Sequence, residues 1–248
     1  MRVKSLFVAS TAALAGLAFV GAANAASFTV NGTDSLYNYG GTSVAGAGST
    51  SPTEIALPGT PGESLTFSGV TGSVIMTPGG GPDFGPHGPD GSPPDFTMTI
   101  TGTANLSGIV SSNVGYLAGV FLNGNEGSNP TPATLDFTSG GLGESFMSLT
   151  PQIDQVFFIG DGLTGTGSGS VQTFFAPTGA TTLVLGIVDG FNYSGAPGAY
   201  FDNSGAFQGT VNVGGAVPEP VTWVMMVVGL GLAGAGLRIN RQNNLAPV

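Results

Sequence analysis

The chain has no cysteine, and its four lysine and arginine residues are confined to its two ends. Disulfide bonds are therefore absent. The basic residues are Arg2, Lys4, Arg238 and Arg241, and the single histidine is His87. Nucleic acid is excluded as a partner, because contacts with phosphates need cationic side chains. An anionic membrane surface is excluded as a partner of the central region for the same reason.

Common catalytic motifs are also missing. The sequence contains no cysteine nucleophile, no GxSxG motif and no HExxH motif, and one histidine cannot form a histidine-rich zinc site. A glycosidase needs only two carboxylates, so the residue inventory leaves that class open. No spacing identifies such a pair, and we predict that the protein is not an enzyme.

Acidic residues, in contrast, are concentrated in the middle of the chain. Of the 14 Asp and Glu residues, all except Glu219 lie between Asp34 and Asp202, where no lysine or arginine can pair with them. Carboxylates that approach one another there must be solvated, protonated or bridged by a cation, and outside the cell Ca²⁺ is the natural candidate. The alternative is that the negative charge serves only solubility and mutual repulsion.

The N-terminus predicts export. Arg2 and Lys4 precede a long apolar stretch, and an A-x-A cleavage site ends at Ala25. Residues 1–25 are therefore predicted to be a signal peptide, and the mature protein is predicted to begin at Ala26.

The C-terminal segment 217–248 combines a Pro-Glu-Pro element, an apolar run and a basic end. The run over 221–237 is uncharged and, as a helix, reaches roughly 26 Å, the short end of what spans a bilayer core. This order resembles the PEP-CTERM sorting signal of exported Gram-negative proteins, in the variant with tryptophan three residues after the motif. The residues that carry the resemblance are Pro218, Glu219, Pro220, Trp223, Arg238 and Arg241.

The PEP-CTERM resemblance implies a route and partners. It implies export through the inner membrane of a Gram-negative bacterium, tethering by a transmembrane helix at 221–237 and recognition by an exosortase-like membrane protease. After processing, the protein is expected at the cell surface or outside the cell. The family links such proteins to exopolysaccharide and biofilm matrix. A simple C-terminal anchor without processing is the alternative.

Between the two terminal segments, residues 26–216 predict one all-β domain, an antiparallel β-sandwich. Glycine (44) and proline (17) separate short stretches rich in Val, Ile, Thr and Phe, without helical periodicity. Five phenylalanines are assigned to the core: Phe67, Phe96, Phe121, Phe157 and Phe174. The predicted strands are 64–70, 96–101, 116–122, 153–159, 171–175, 182–188 and 207–213, with 28–30 as a further edge strand.

Two low-complexity stretches predict loops. Residues 43–51 are rich in Gly, Ala, Ser and Thr, and residues 78–94 are rich in Gly and Pro. The second stretch contains His87 and is predicted to be a long surface loop.

Residues 182–214 look like the C-terminal half of the small calcium-dependent galactose-binding bacterial lectins, which are β-sandwiches of galactose-binding-like topology. The shared pattern is a strand ending in Asp189, a Pro-Gly loop, and the adjacent pair Asp202 and Asn203 before Ser-Gly and a last strand. The resemblance implies side-chain Ca²⁺ ligands at these three residues. It also implies backbone carbonyl ligands, and sugar contacts as well. The carbonyl ligands would be Ala199 and Gly59, and the sugar contacts Asp189, Asp202 and His87.

The alternative for Asp202 and its neighbours is an ordinary turn, since Asp, Asn and Gly are turn formers. Two functions therefore remain open. One is a calcium-assisted carbohydrate-binding module associated with exopolysaccharide or biofilm matrix. The other is a structural envelope or matrix protein with no discrete ligand.

Overall fold

A computed structural model describes residues 24–41, 44–76, 85–94, 96–214 and 229–231. The predicted signal peptide lies outside these ranges except for residues 24–25, and the sorting tail lies outside them except for 229–231, which are helical. Within the described ranges, no helix is long and apolar enough to cross a membrane. The transmembrane helix at 221–237 thus remains a prediction.

The described residues form seventeen strands, numbered in chain order, and three short 3-10 segments. A five-stranded sheet has the order β1 (Asn24–Asn31), β17 (Ser204–Gly214), β3 (Ser64–Ile75), β14 (Thr173–Phe175) and β10 (Ser148–Leu149). A four-stranded sheet has the order β11 (Val156–Phe158), β8 (Ala118–Leu122), β15 (Thr182–Gly186) and β2 (Thr53–Ala56).

Three smaller sheets complete the β structure. The second four-stranded sheet has the order β16 (Ser194–Gly195), β5 (Met98–Ile100), β6 (Ile109–Ser111) and β9 (Leu135–Phe137). The two-stranded sheets pair β12 (Leu163–Gly165) with β13 (Ser168–Val171), and β4 (Asp90–Ser92) with β7 (Val114–Tyr116). The 3-10 segments are Leu36–Gly41, Phe191–Tyr193 and Tyr200–Asp202.

Aromatic side chains join the two largest sheets into one core. Phe174 on β14 lies 5.5 Å from Phe67 on β3 and 5.5 Å from Phe157 on β11, measured between ring centroids. Phe157 in turn stacks on Phe121 of β8 at 5.1 Å. These four rings are at most 2% exposed, so their burial contributes substantially to the free energy of folding.

The longest pairing is between β3 and β17, and its register brings Phe67 opposite Val211. The pairing shifts between Gln208 and Thr210, which marks a bulge. Gly72 has φ +106°, and a side chain there would collide with the Ala206 carbonyl. The close approach of the two strands therefore depends on glycine at this position.

These observations confirm the predicted all-β class. The edge strand at 28–30 is confirmed as β1, the outer strand of the five-stranded sheet, and the predicted strand at 207–213 lies within β17. Several other strands are shorter than predicted; the strand predicted over 153–159, for example, covers Val156–Phe158. The galactose-binding-like sandwich topology remains a prediction.

Two expectations are wrong. Phe96 is not a core residue, because it is 40% exposed and stacks on Tyr193 with ring centroids 5.3 Å apart. The stretch 78–94 is not one surface loop. Residues 77–84 lie outside the described ranges, but His87 exchanges backbone hydrogen bonds with Val74 and is only 3% exposed. Backbone pairing with β3 therefore returns this part of the chain to the core.

Candidate functional site

The segment between β15 and β17 is fixed at both ends. Its first part passes along β5, where Ser194 pairs with Thr99 in a parallel ladder. The Tyr200 hydroxyl is buried and donates to the Ile187 carbonyl at 3.1 Å, while it accepts from the Asp189 amide at 3.1 Å. These bonds hold the end of the segment against its beginning.

Asp189 is the most buried carboxylate of this segment, with 2% exposure. Its Oδ1 accepts from the Gly190 amide at 2.7 Å, and its Oδ2 accepts from Asn203 Nδ2 at 3.0 Å. The pKa of Asp189 is raised to about 7, mainly by burial and in smaller part by the charge of Asp202, although the two hydrogen bonds lower it. The carboxylate is thus held in place, but burial makes its ionisation unfavourable.

Asn203 links this carboxylate to the N-terminal strand region. Its Nδ2 also donates to the Gly32 carbonyl at 3.0 Å, so both amide hydrogens have acceptors. Its Oδ1 and the Oδ1 of Asp202 are buried and have no hydrogen-bond partner among the described residues. Two buried oxygens here thus have acceptor capacity left.

A cavity of about 250 Å³ lies beside these acids. Asp189, Ala199 and Asp202 border the cavity, together with the side chains of Phe191 and Phe201. The two phenylalanines are 72% and 67% exposed, respectively, although most large apolar side chains of the domain are buried. The arrangement combines carboxylate oxygens with apolar ring surface at one opening. We call this cavity of about 250 Å³ the Asp189 cavity.

Three of the six non-glycine residues with positive φ in the described ranges lie in the same segment. Asn192, Tyr193 and Ala199 have φ values of 53°, 56° and 66°, in the left-handed region that non-glycine residues seldom adopt. Such conformations persist where surrounding structure imposes them, and they are common at functional sites.

The structure does not bring every predicted ligand to this cavity. Gly59 lies beside Ala180, before the first residue of β15, whereas Asp189 follows the last residue of that strand. His87 does not border the cavity either. Its ring packs at Gly115, where a side chain would lie 2.7 Å from the His87 ring and 3.1 Å from Met76, a residue that does border the cavity.

Within the part of the chain that the structure describes, no three His, Cys, Asp or Glu side chains lie close enough together to hold a metal ion. A cation at the Asp189 cavity would therefore be bound by two carboxylates, those of Asp189 and Asp202, and by amide and carbonyl oxygens. Ca²⁺ accepts such mixed oxygen ligands.

Sequence reasoning missed a second group of acids. Asp90 and Glu144 border a smaller cavity of about 90 Å³, which we call the Asp90 cavity, and the backbone amide of Asp161 donates to Asp90. No sequence motif connects these three positions. The available signal was indirect: carboxylates that fold together in a domain without lysine or arginine have no cationic side chain to pair with.

Comparisons with known proteins identify the tail. Residues 216–242 match the model of the PEP-CTERM protein-sorting motif. Neither the curated proteins nor the solved structures contain a match to the chain. The resemblance of residues 182–214 to galactose-binding lectins therefore gains no support from relatives. The chain thus carries a PEP-CTERM sorting motif, and proteins with this motif are exported and sorted to the cell surface with processing by an exosortase.

Proposed function

We propose that the β domain of this exported protein binds a carbohydrate of the extracellular matrix with the help of Ca²⁺ at the Asp189 cavity. The ligands proposed for the cation are the carboxylates of Asp189 and Asp202, the side-chain oxygen of Asn203 and the carbonyl of Ala199. The role is binding and not catalysis. The cation would be held by the protein on one side and by sugar hydroxyls on the other.

The observation that carries the proposal is the pair of buried oxygens on Asp202 and Asn203 that lack hydrogen-bond partners in the described structure. Leaving a buried polar atom unpaired costs roughly 1–3 kcal/mol. A lysine or arginine cannot relieve this cost, because none lies between Lys4 and Arg238. A bound cation relieves it and also favours the ionised form of Asp189.

The cavity walls support a sugar as the second ligand. Phe191 and Phe201 expose ring faces next to the acids, and an exposed apolar surface beside polar groups is typical of a binding site. A sugar ring has an apolar face that can lie on such a side chain and hydroxyls that can complete the shell of Ca²⁺. A cavity of about 250 Å³ has room for one or two sugar units at its opening.

The test is thermal unfolding of the full-length protein in detergent, with millimolar calcium chloride or with excess EDTA. At about 100 times its dissociation constant, calcium stabilises the folded state by roughly 2.7 kcal/mol, a shift of several degrees in Tm. We expect Asp202→Asn to remove the part of the calcium-induced shift in Tm that comes from the Asp189 cavity. Asp136→Asn is the matched control, because Asp136 is an exposed carboxylate on β9, outside the segment 187–203.

Glycan binding is then measured on an array with calcium or EDTA. Calcium-dependent retention that Asp202→Asn abolishes supports the proposal. If Asp202→Asn leaves both the calcium shift and glycan retention unchanged, the proposal fails. The alternative is then a structural envelope protein in which Asp189 and Asn203 serve only to fasten the segment.

A further inference from the structure

The Asp90 cavity lies between β4 and the hairpin formed by β12 and β13. Asp90 and Glu144 contribute carboxylates to its wall, and Leu163, Thr164 and Thr166 of the hairpin also border it. None of these residues belongs to the segment 187–203. The cavity is therefore independent of the proposed carbohydrate site.

Asp90 presents one carboxylate oxygen without a partner. The side chain is 8% exposed, and its Oδ1 accepts from the Asp161 amide at 2.8 Å. Its Oδ2 is buried and forms no hydrogen bond within the described residues. Burial raises the pKa of Asp90, and the charge of Asp161 adds to the increase, whereas the Asp161 amide and the Thr166 hydroxyl lower the pKa.

Glu144 is held next to Asp90 by a shared amide. Asn113 Nδ2 donates to Glu144 Oε2 at 2.7 Å and to the Asp90 carbonyl at 3.0 Å. Ser111 Oγ donates to Glu144 Oε1 at 3.2 Å. Burial raises the pKa of Glu144 to about 7, and the charge of Asp90 contributes to the increase. Two acids are therefore positioned together where neither ionises easily by itself.

The backbone of the hairpin that borders the cavity is held by the Asp161 side chain. Its two carboxylate oxygens accept from the Leu163 amide at 2.8 Å and from the Gly167 amide at 2.6 Å. Gly167 has φ +65°, which allows the turn of the hairpin to close over this carboxylate. The backbone of residues 163–166 is thus held against the cavity before any ligand binds.

We propose that the Asp90 cavity is a binding site for a divalent cation of the Ca²⁺ class, held between Asp90 Oδ2 and the carboxylate of Glu144. Backbone oxygens of the hairpin and water would complete the oxygen shell that Ca²⁺ requires. A cavity of about 90 Å³ has the volume of roughly three water molecules, which suits a partly hydrated ion and is too small for a sugar. The domain has no lysine or arginine that could bridge the two acids.

The first experiment is calorimetric titration of the full-length protein in detergent with calcium chloride. If both cavities bind, the wild-type protein takes up two ions. Asp90→Asn and Glu144→Gln each remove one, with at least a roughly tenfold loss of affinity at that site. Asp202→Asn removes the other ion and leaves the Asp90 cavity unchanged. Asp136→Asn is the control that changes neither.

The variants are chosen to keep the fold. In Glu144→Gln, the new amide can donate to Ser111 Oγ, and the remaining oxygen still accepts from Asn113. In Asp90→Asn, the retained oxygen still accepts from the Asp161 amide. A second readout uses Tm. In EDTA at about pH 8, above the raised pKa of Glu144, Glu144→Gln is expected to unfold at the same temperature as the wild type or higher, because a buried charge is removed. In calcium it is expected to unfold at a lower temperature than the wild type.

The outcomes separate the two proposals. If Asp90→Asn loses an ion and Asp202→Asn loses none, the Asp90 cavity is supported and the carbohydrate site is overturned as a calcium site. One ion lost only in Asp202→Asn overturns the Asp90 cavity. If calcium does not raise the Tm of the wild type above that of Glu144→Gln, Asp90 and Glu144 share a proton and do not bind a cation. The inference then fails.

Discussion

The Asp189 and Asp90 cavities both bury carboxylates in a domain without lysine or arginine, yet the chain assembles them differently. The first takes its acids from one segment, 189–203, whose ends are tied together by Tyr200. The second joins Asp90 and Glu144, which are distant in sequence, through the Asn113 side chain. Local sequence therefore encodes the first site, whereas strand pairing creates the second.

The two cavities are expected to differ most in the loss of unfolding free energy when the asparagine that holds each acid is replaced by alanine. Asn203→Ala takes a donor from Asp189 Oδ2 and from the Gly32 carbonyl, both at a buried position. We expect the free energy of unfolding to fall by roughly 3 kcal/mol. Asn113→Ala takes donors from a partly exposed position, and we expect a loss of about 1 kcal/mol.

Urea unfolding of the two variants in EDTA measures both losses. Equal losses would contradict the ranking, because they would mean that the Asp189 cavity is as well solvated as the Asp90 cavity.

Stability is expected to depend on pH through both cavities. The folded chain holds protons on Asp189 and Glu144 up to about pH 7, with Asp202 and Asp90 as their acidic neighbours, whereas the unfolded chain releases them near pH 4. The folded state therefore binds more protons in this window. In EDTA, stability falls as pH rises from about 4 to about 7, by roughly 2 kcal/mol for each acid after allowance for solvation.

Unfolding measured in EDTA at about pH 5 and about pH 8 tests this sign. Glu144→Gln is expected to reduce the slope, whereas the exposed Asp136→Asn is not. Calcium competes with the protons, so the stabilisation by calcium is expected to grow as pH rises. A calcium effect that is independent of pH would exclude these two carboxylates as its ligands.

The two cavities also show how far the sequence predicts this molecule. The edge strand at 28–30 was predicted from local sequence, and the acids of 189–203 were assigned through the resemblance of one short continuous segment to a known family. Phe96 was misplaced because it lies two residues before β5 begins, whereas Met98 and Ile100, on the same predicted face, are buried. The pairing of Asp90 with Tyr116 in β4 and β7, which brings Asp90 towards Glu144, depends on contacts between distant segments.

The exposed rings distinguish the cavities in a further way. Phe201 borders the Asp189 cavity, whereas Phe158 of the Asp90 cavity is buried in the core. Phe201→Ala is expected to weaken glycan binding by about 1 kcal/mol, because a stacking surface is lost. Calcium stoichiometry and Tm are expected to remain unchanged.

Glycan affinity measured at saturating calcium checks this prediction, with the exposed Met147→Ala as the control for loss of a surface apolar side chain. An unchanged glycan affinity in Phe201→Ala would mean that the Phe201 ring does not contact the sugar.

The smallest effect is expected at Gly59, a position that sequence resemblance had assigned to the calcium site. Gly59 has φ +74°, and a side chain there meets no atom closer than 3.8 Å, so Gly59→Ala introduces backbone strain without a collision. We expect a loss of roughly 1 kcal/mol in the free energy of unfolding. Because Gly59 lies at the opposite end of β15 from Asp189, calcium affinity is expected to stay the same. Gly179→Ala, at φ +88° in similarly open space, is the matched control for the strain alone. A loss of calcium affinity in Gly59→Ala, but not in Gly179→Ala, would mean that the Asp189 cavity depends on residues outside the segment 189–203. The distinction between a locally encoded site and a site assembled from distant segments would then no longer hold.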